Sequence, residues 1–240
     1  MSGHSKFHNI KKTKDKADAV RAKIFTKIGR EIAVAVKAGG ADPNTNAKLA
    51  DIISKARANN MPNDNIQRSI KKASGEIDTV NYTDMVYEGY GPAGVAVIVE
   101  CLTDNKNRTA GDVRHLFDRS GGSLGTTGSV SFMFDRKGVI VIDKKDDLTE
   151  DKIFEIAIEG GADDVVTTDD SFVVYTDPSQ LHNVAQAFTN AGIELVQAEN
   201  ELVANNYIVP EENQISKIEN LIEALEELDD VQNVYHNADI

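Results

Sequence analysis

Tryptophan is absent from this chain, and cysteine occurs once, at Cys101. A single thiol excludes an intrachain disulfide framework and leaves no cysteine set for a structural zinc site. Proline is scarce as well: its five positions, 43, 62, 92, 178 and 210, all fall between periodic segments, where proline is tolerated. No apolar run approaches the roughly 18 to 20 residues that a membrane span needs, and the opening stretch MSGHSKFHNIKK has no apolar core of the signal-peptide kind. A soluble cytoplasmic protein with no membrane partner is therefore expected.

Catalytic sets are also missing. The five histidines, at 4, 8, 115, 182 and 236, are scattered, and the His4/His8 pair lacks the glutamate of a zinc-protease helix. Cys101 lies in an apolar run, where a lone cysteine is a small hydrophobe before it is a nucleophile. The acidic pairs Asp163-Asp164, Asp169-Asp170 and Glu226-Glu227 lack the alternation of a calcium loop and read as solvated faces. These absences predict a protein that is not an enzyme and needs no metal and no cofactor.

Charge is plentiful and unevenly placed. Residues 1–75 carry 16 Lys/Arg against 6 Asp/Glu, a surplus of ten positive charges, whereas residues 76–240 carry 10 against 33, a surplus of 23 negative ones. A basic segment on an acidic body is the pattern of a nucleic-acid arm. The surplus is densest at Lys6, Lys11, Lys12, Lys14, Lys16, Arg21, Lys23, Lys27 and Arg30, with Phe7 and His8 available to stack on bases.

Periodicity predicts three helices in this segment. Val20, Ile24, Ile28, Ile32 and Val36 recur every four residues over 15–38 and stop at Gly39-Gly40; Leu49, Ile52, Ile53 and Ala56 mark a second helix over 45–58; Ile66, Ile70 and Ala73 mark a third over 63–74. Off the stripe of the third helix lie Asn65, Gln67, Arg68, Lys71 and Lys72, residue types that read base edges or hold phosphates.

Beyond about residue 79 the pattern turns to β-branched runs alternating with helices. Strands are expected at 94–103 and 129–134 with a helix at 108–120 between them. A second series starts at 138–143, continues through a helix capped by Asp147 and Glu150, a hairpin around Asp169-Asp170 and a helix begun by Asp177-Pro178, and ends on the strand IELVQAE. That series spells β-α-β-β-α-β, the ferredoxin-like order. The first series finds its second helix only at 211–228, before the strand VQNVY. The economical reading is an α+β protein with an N-terminal three-helix module, 1–78, and two ferredoxin-like α/β domains, one inserted in the other: 79–135 with 206–240, interrupted by 136–205. Because the apolar stripe Ile215 to Leu228 is needed by that core, a monomer is expected.

Two loops remain as candidate contacts. TDNKNRT (103–109) offers Asn105, Arg108 and Thr109 at a helix entry, where capping explains the Asn and Thr equally well. The stretch GGSLGTTGS (121–129), with Ser123, could place backbone N–H groups around a phosphate, although it lacks the ending of a P-loop and a connector is the simpler reading.

The blocks GHSKFHNIKK (3–12), AKIFTKIGREI (22–32), GGADP (39–43), NNMP (59–62), YEGYGPAGVA (87–96), LTDNKNRT (102–109), GGSLGTTGSVSFMF (121–134) and DDVQNVYHN (229–237) resemble the YebC family. That family includes PmpR-type bacterial regulators and the mitochondrial translational activator of cytochrome oxidase. Phe7 stands where relatives commonly carry tryptophan, and KKTKDKADAV (11–20) departs from their usual sequence while keeping its basic character. The resemblance implies three domains, no enzymatic activity, and a DNA-binding transcriptional regulator in the cytoplasm. Its alternative implication is a ribosome-associated translation factor that binds ribosomal RNA and relieves stalling on proline-rich stretches.

Overall fold

The computed structural model describes residues 18–75, 80–145 and 148–240. They fall into two compact units, one of residues 18–131 with 210–236 and the other of residues 132–209 with 237–240.

The first unit begins with three helices, α1 (Asp18–Gly39), α2 (Ala47–Ala58) and α3 (Asn63–Ser74). The stripes expected from periodicity are the faces they bury: Ile28, Ile32 and Val36 meet Leu49, Ile52, Ile53 and Ala56 and the Ile66, Ile70 and Ala73 row in one apolar cluster. Ile28, Ile32, Leu49 and Ile66 are each almost wholly buried, and each such side chain contributes about 1.5–3 kcal/mol. The bend between α1 and α2 is fixed by Asn46. Its Oδ1 accepts from Leu49 N–H as the α2 N-cap, while its Nδ2 donates to the carbonyls of Ala35 and Gly40, both at 2.8 Å. A Cβ on Gly39 would lie 2.8 Å from the Asn46 side chain, so glycine is needed there for the cap to reach back.

The same unit continues as a four-stranded antiparallel sheet in the order β3-β1-β2-β8, formed by β1 (Thr83–Tyr90), β2 (Ala96–Thr103), β3 (Ser123–Leu124) and β8 (Val231–His236). Helix α4 (Lys106–Arg119) joins β2 to β3, and α7 (Glu212–Glu226) precedes β8. The stripe of α7 is turned inward: Ile218, Leu221, Ile222 and Leu225 are 1 % exposed or less. The second unit holds β4 (Phe134–Asp143), α5 (Glu150–Gly160), β5 (Asp164–Thr167), β6 (Ser171–Thr176), α6 (Leu181–Asn190) and β7 (Gln197–Ala204), with sheet order β5-β6-β4-β7, all antiparallel. Ile140, Ile142, Phe172 and Val174 line the face under its helices.

Both sheets share one layout. If β2, β3 and β8 are matched to β4, β5 and β7, the place filled by β6 in the second sheet is filled by β1 in the first. The chain thus supplies the third strand of its first ferredoxin-like sheet before the first, as a hairpin through Pro92–Gly94, and the sheet's last helix and strand come after the other sheet.

Several local expectations are corrected. The segment 129–134 is not a strand: Ser131–Met133 is a 3-10 turn and β4 runs unbroken from Phe134. The N–H groups of Val130 and Ser131 bond the Glu88 carboxylate and are not available to a ladder. Strand β1 is not among the expected elements because Asp84, Glu88 and Gly89 interrupt its apolar residues. Helix α5 is capped by Thr149, later than the expected Asp147, which lies outside the described residues. Asp177 and Pro178 build a turn in which Asp177 Oδ1 accepts from Ser179, and α6 starts only at Leu181. Strand β7 begins at Gln197, four residues into the expected IELVQAE, because its polar alternation suits an edge.

Candidate nucleic-acid interface

Helix α3 presents a polar face. Asp64, Gln67, Arg68, Lys71 and Lys72 are exposed on the side opposite Ile66, Ile70 and Ala73. None of Arg68, Lys71 and Lys72 has a side-chain partner among the described residues. Pro62 occupies the N-cap position, so no side chain of the preceding turn closes the first N–H groups of this helix. The connection from α2 is the four-residue turn Asn59–Pro62, in which Asn60 takes a left-handed φ of 57° and Met61 is buried as an anchor. A turn this short is the connection length of a helix-turn-helix or an αα-hairpin.

The basic residues of α1 are placed differently. Arg21 is exposed. Lys23, Lys27 and Arg30 all reach the closing turn of α7. Lys23 Nζ donates to the Glu227 carbonyl at 3.3 Å, Lys27 Nζ to the Glu226 carbonyl at 2.9 Å, and Arg30 Nη1 to the Asp229 carbonyl at 2.7 Å. Burial lowers the Lys27 ammonium pKa, with Glu226 opposing. The Arg30 guanidinium also stacks over Tyr82, 5.5 Å from the ring centre.

The focus of this arrangement is Asp230, whose side chain is 8 % exposed. Its Oδ1 accepts from Arg30 at 2.6 Å; its Oδ2 accepts from Arg108 Nη2 and from the Thr109 hydroxyl, each at 2.7 Å, and from Thr103 at 3.2 Å. Burial pushes the Asp230 pKa up, but the hydrogen bonds from Arg108, Thr109 and Arg30 outweigh it and hold the group at about 2. Of the 103–109 motif, Thr103 and Thr109 therefore face inward, while Asp104, Asn105, Lys106, Asn107 and Arg108 stay exposed. Asn105 caps α4 by accepting from Arg108 N–H, Thr109 is 1 % exposed, and Arg108 bridges Asp230 and Asp104.

The glycine-rich loop also encloses an anion, and the anion is internal. Glu88, 4 % exposed on β1, accepts from Gly128 N–H at 2.8 Å with one oxygen and from Val130 and Ser131 N–H at 2.9 and 2.8 Å with the other. Burial pushes its pKa up, and the three N–H donors overcome this to leave it lowered. Gly125 N–H donates to the Glu88 carbonyl at 2.7 Å, and a Cβ on Gly122 would lie 2.4 Å from the Tyr90 carbonyl oxygen. The loop is thus a cradle already filled by its own carboxylate. Ser123, Thr126 and Thr127 remain exposed on its outer side.

Lys6, Lys11, Lys12, Lys14 and Lys16 lie outside the described residues. Among those described, no three His, Cys, Asp or Glu side chains gather as a metal site requires, and no helix is long and apolar enough to cross a membrane. Asp230 and Glu88 escaped sequence reasoning. The available signal was their place inside the blocks DDVQNVYHN and YEGYGPAGVA, where an acid adjoins or sits within a strand.

Comparison with known proteins agrees across the chain. Residues 5–76 match a model described as the TACO1/YebC protein N-terminal domain, and residues 82–238 match one described as the TACO1/YebC second and third domain. A protein of Acetivibrio thermocellus is 56% identical over 238 residues, covering 99% of this chain and 98% of its own length; one of Clostridium botulinum is 54% identical over 239 residues, covering 100% and 97%. Both are named "Probable transcriptional regulatory protein". Among solved structures, the conserved hypothetical protein Aq1575 from Aquifex aeolicus superposes with a TM-score of 0.84 at 42% identity, covering 94% of this chain and 93% of that one.

Proposed function

The chain belongs to the TACO1/YebC family, and from that premise we propose that it is a non-enzymatic, DNA-binding regulator of transcription that reads a duplex with α3. The observation that carries this is the exposed basic and amide face of α3, whose cations have no side-chain partner among the described residues, behind the short α2–α3 turn. In helix-turn-helix proteins the second helix enters the major groove and the first crosses the backbone. Gln67 and Arg68 are types that pair with adenine and guanine edges, whereas Lys71 and Lys72 suit phosphates. The basic tail 6–16 adds sequence-independent attraction, and the acidic remainder confines the duplex to this end of the chain.

The test is a titration of the full chain with duplex DNA and with structured RNA over a range of salt. Binding to the duplex should weaken by about 0.9 log units per log unit of salt for each phosphate held. Arg68→Ala with Lys71→Ala and Lys72→Ala should lower that slope. A clear preference for the RNA, with no change on altering α3, would overturn the assignment and point to a ribosomal ligand.

A further inference from the structure

Lys23, Lys27 and Arg30 follow one another at intervals of four and three, which places them in a row on one face of α1. Every member of that row reaches residues 226–230, Arg30 donating to the Leu102 carbonyl as well. The acceptors there are what a helix end offers a cation: carbonyl oxygens of the closing turn, in the negative field of the helix dipole, with the carboxylates of Glu227 and Asp230 beside them. A row of cations facing a row of anionic oxygens is also how a basic helix holds a phosphate backbone. The core of the three helices closes without this contact, for its cluster includes Ile24, Phe25 and Tyr82 at its margin and no residue of α7 or β8. What fastens α1 to the end of α7 is therefore long polar side chains, of which the exposed Lys23–Glu227 pair is open to screening by salt and the buried Arg30–Asp230 pair much less so.

We propose that the acidic end of α7 is an internal competitor for the basic row of α1, an autoinhibitory latch that a polyanion must displace before it can occupy Lys23, Lys27 and Arg30. The α3 face stays open in both states, so a first encounter on α3 is weak and becomes strong only when the latch yields. The proposal takes its ligand class from the nucleic-acid reading, whereas the latch requires only a polyanion.

The test uses the full chain carrying Lys23→Cys and Glu227→Cys. One sample is bridged with a short bis-maleimide and the other blocked at both thiols with N-ethylmaleimide; Cys101 is buried and does not compete. Each is titrated with a random-sequence duplex, a structured RNA and heparin. The bridged protein should bind its polyanion about tenfold or more weakly than the blocked protein, with a salt slope reduced by about two contacts, the two cations left in the row. Equal affinities and slopes would overturn the latch, as would failure of both samples to bind all three probes. Heparin binding that the bridge abolishes, with no binding of duplex or RNA, would uphold the latch and remove the nucleic-acid reading instead.

Discussion

Arg30 and Arg108 hold the same carboxylate from two different helices, Arg30 Nη1 at 2.6 Å from Asp230 Oδ1 and Arg108 Nη2 at 2.7 Å from Asp230 Oδ2. Thr103 and Thr109 complete the set, so the acid is buried with its lone pairs engaged. Removing the charge leaves the buried Arg30 without its anion and Arg108 with Asp104 alone, and Asp230→Asn should lower stability by about 2–4 kcal/mol in urea unfolding. The folded pKa is depressed, so the group adds stability that is complete above the unfolded value of about 4 and is lost as pH falls toward 2. Wild type should lose stability across that interval more steeply than the variant; parallel curves would show that Asp230 is not the group responsible.

Glu88 gives a second, more local acid dependence. Glutamine in its place has one acceptor oxygen and turns an N–H₂ toward backbone donors that already point at the site. Glu88→Gln should increase amide exchange over 123–131 while leaving α1–α3 protected, at a cost of about 1–3 kcal/mol. Because burial raises its pKa and the three N–H donors more than offset that, the cradle holds above the ordinary glutamate range and loosens in wild type as pH falls below it. An unchanged exchange rate in the variant would mean the loop holds its shape without the carboxylate.

Much of this architecture is legible in the sequence. The three helical stripes, the β-α-β-β-α-β run and the return of the chain at α7 follow from the periods of Ile28, Ile66, Ile140 and Ile222, since burial repeats with the backbone. Strand β1 was not readable, because its pairing with β2 and β3 satisfies a segment whose own residues alternate weakly. The site was less legible than the fold. Lys27 and Arg30 look identical to phosphate-binding residues in sequence, and only the long-range approach of Glu226 and Asp230 shows what they hold. The exposure of Arg68, Lys71 and Lys72 is legible because it depends on a local period alone.

Two glycines offer a contrast in sign. A Cβ at Gly122 would stand 2.4 Å from the Tyr90 carbonyl oxygen and 3.0 Å from Gly91 Cα, backbone atoms that cannot turn aside, whereas at Gly111, in the exposed part of α4, it would meet nothing within 4 Å. Gly122→Ala should cost about 2 kcal/mol or more through displacement of β3 from β1. Gly111→Ala should gain about 0.5–1 kcal/mol from helix propensity. Thermal unfolding of both variants checks the pair, and a stabilised Gly122→Ala would contradict the close β1–β3 approach.

The last prediction separates reading from holding on α3. Lys71 and Lys72 lie in its final turn, where a cation also favours the helix dipole, so their replacement should weaken every duplex alike and lower the salt slope by about one contact each. Gln67 and Arg68 stand in the middle of the exposed face, where base edges come within reach of a helix lying in a groove. Arg68→Ala should cost about 1–3 kcal/mol on a preferred duplex, found by selection from random sequences, and much less on an unrelated one. The measurement is the ratio of the two affinities at fixed salt. A ratio untouched by Arg68→Ala and Gln67→Ala, with the slope falling as it does for the lysines, would make α3 a phosphate clamp and move any sequence discrimination to another part of the chain.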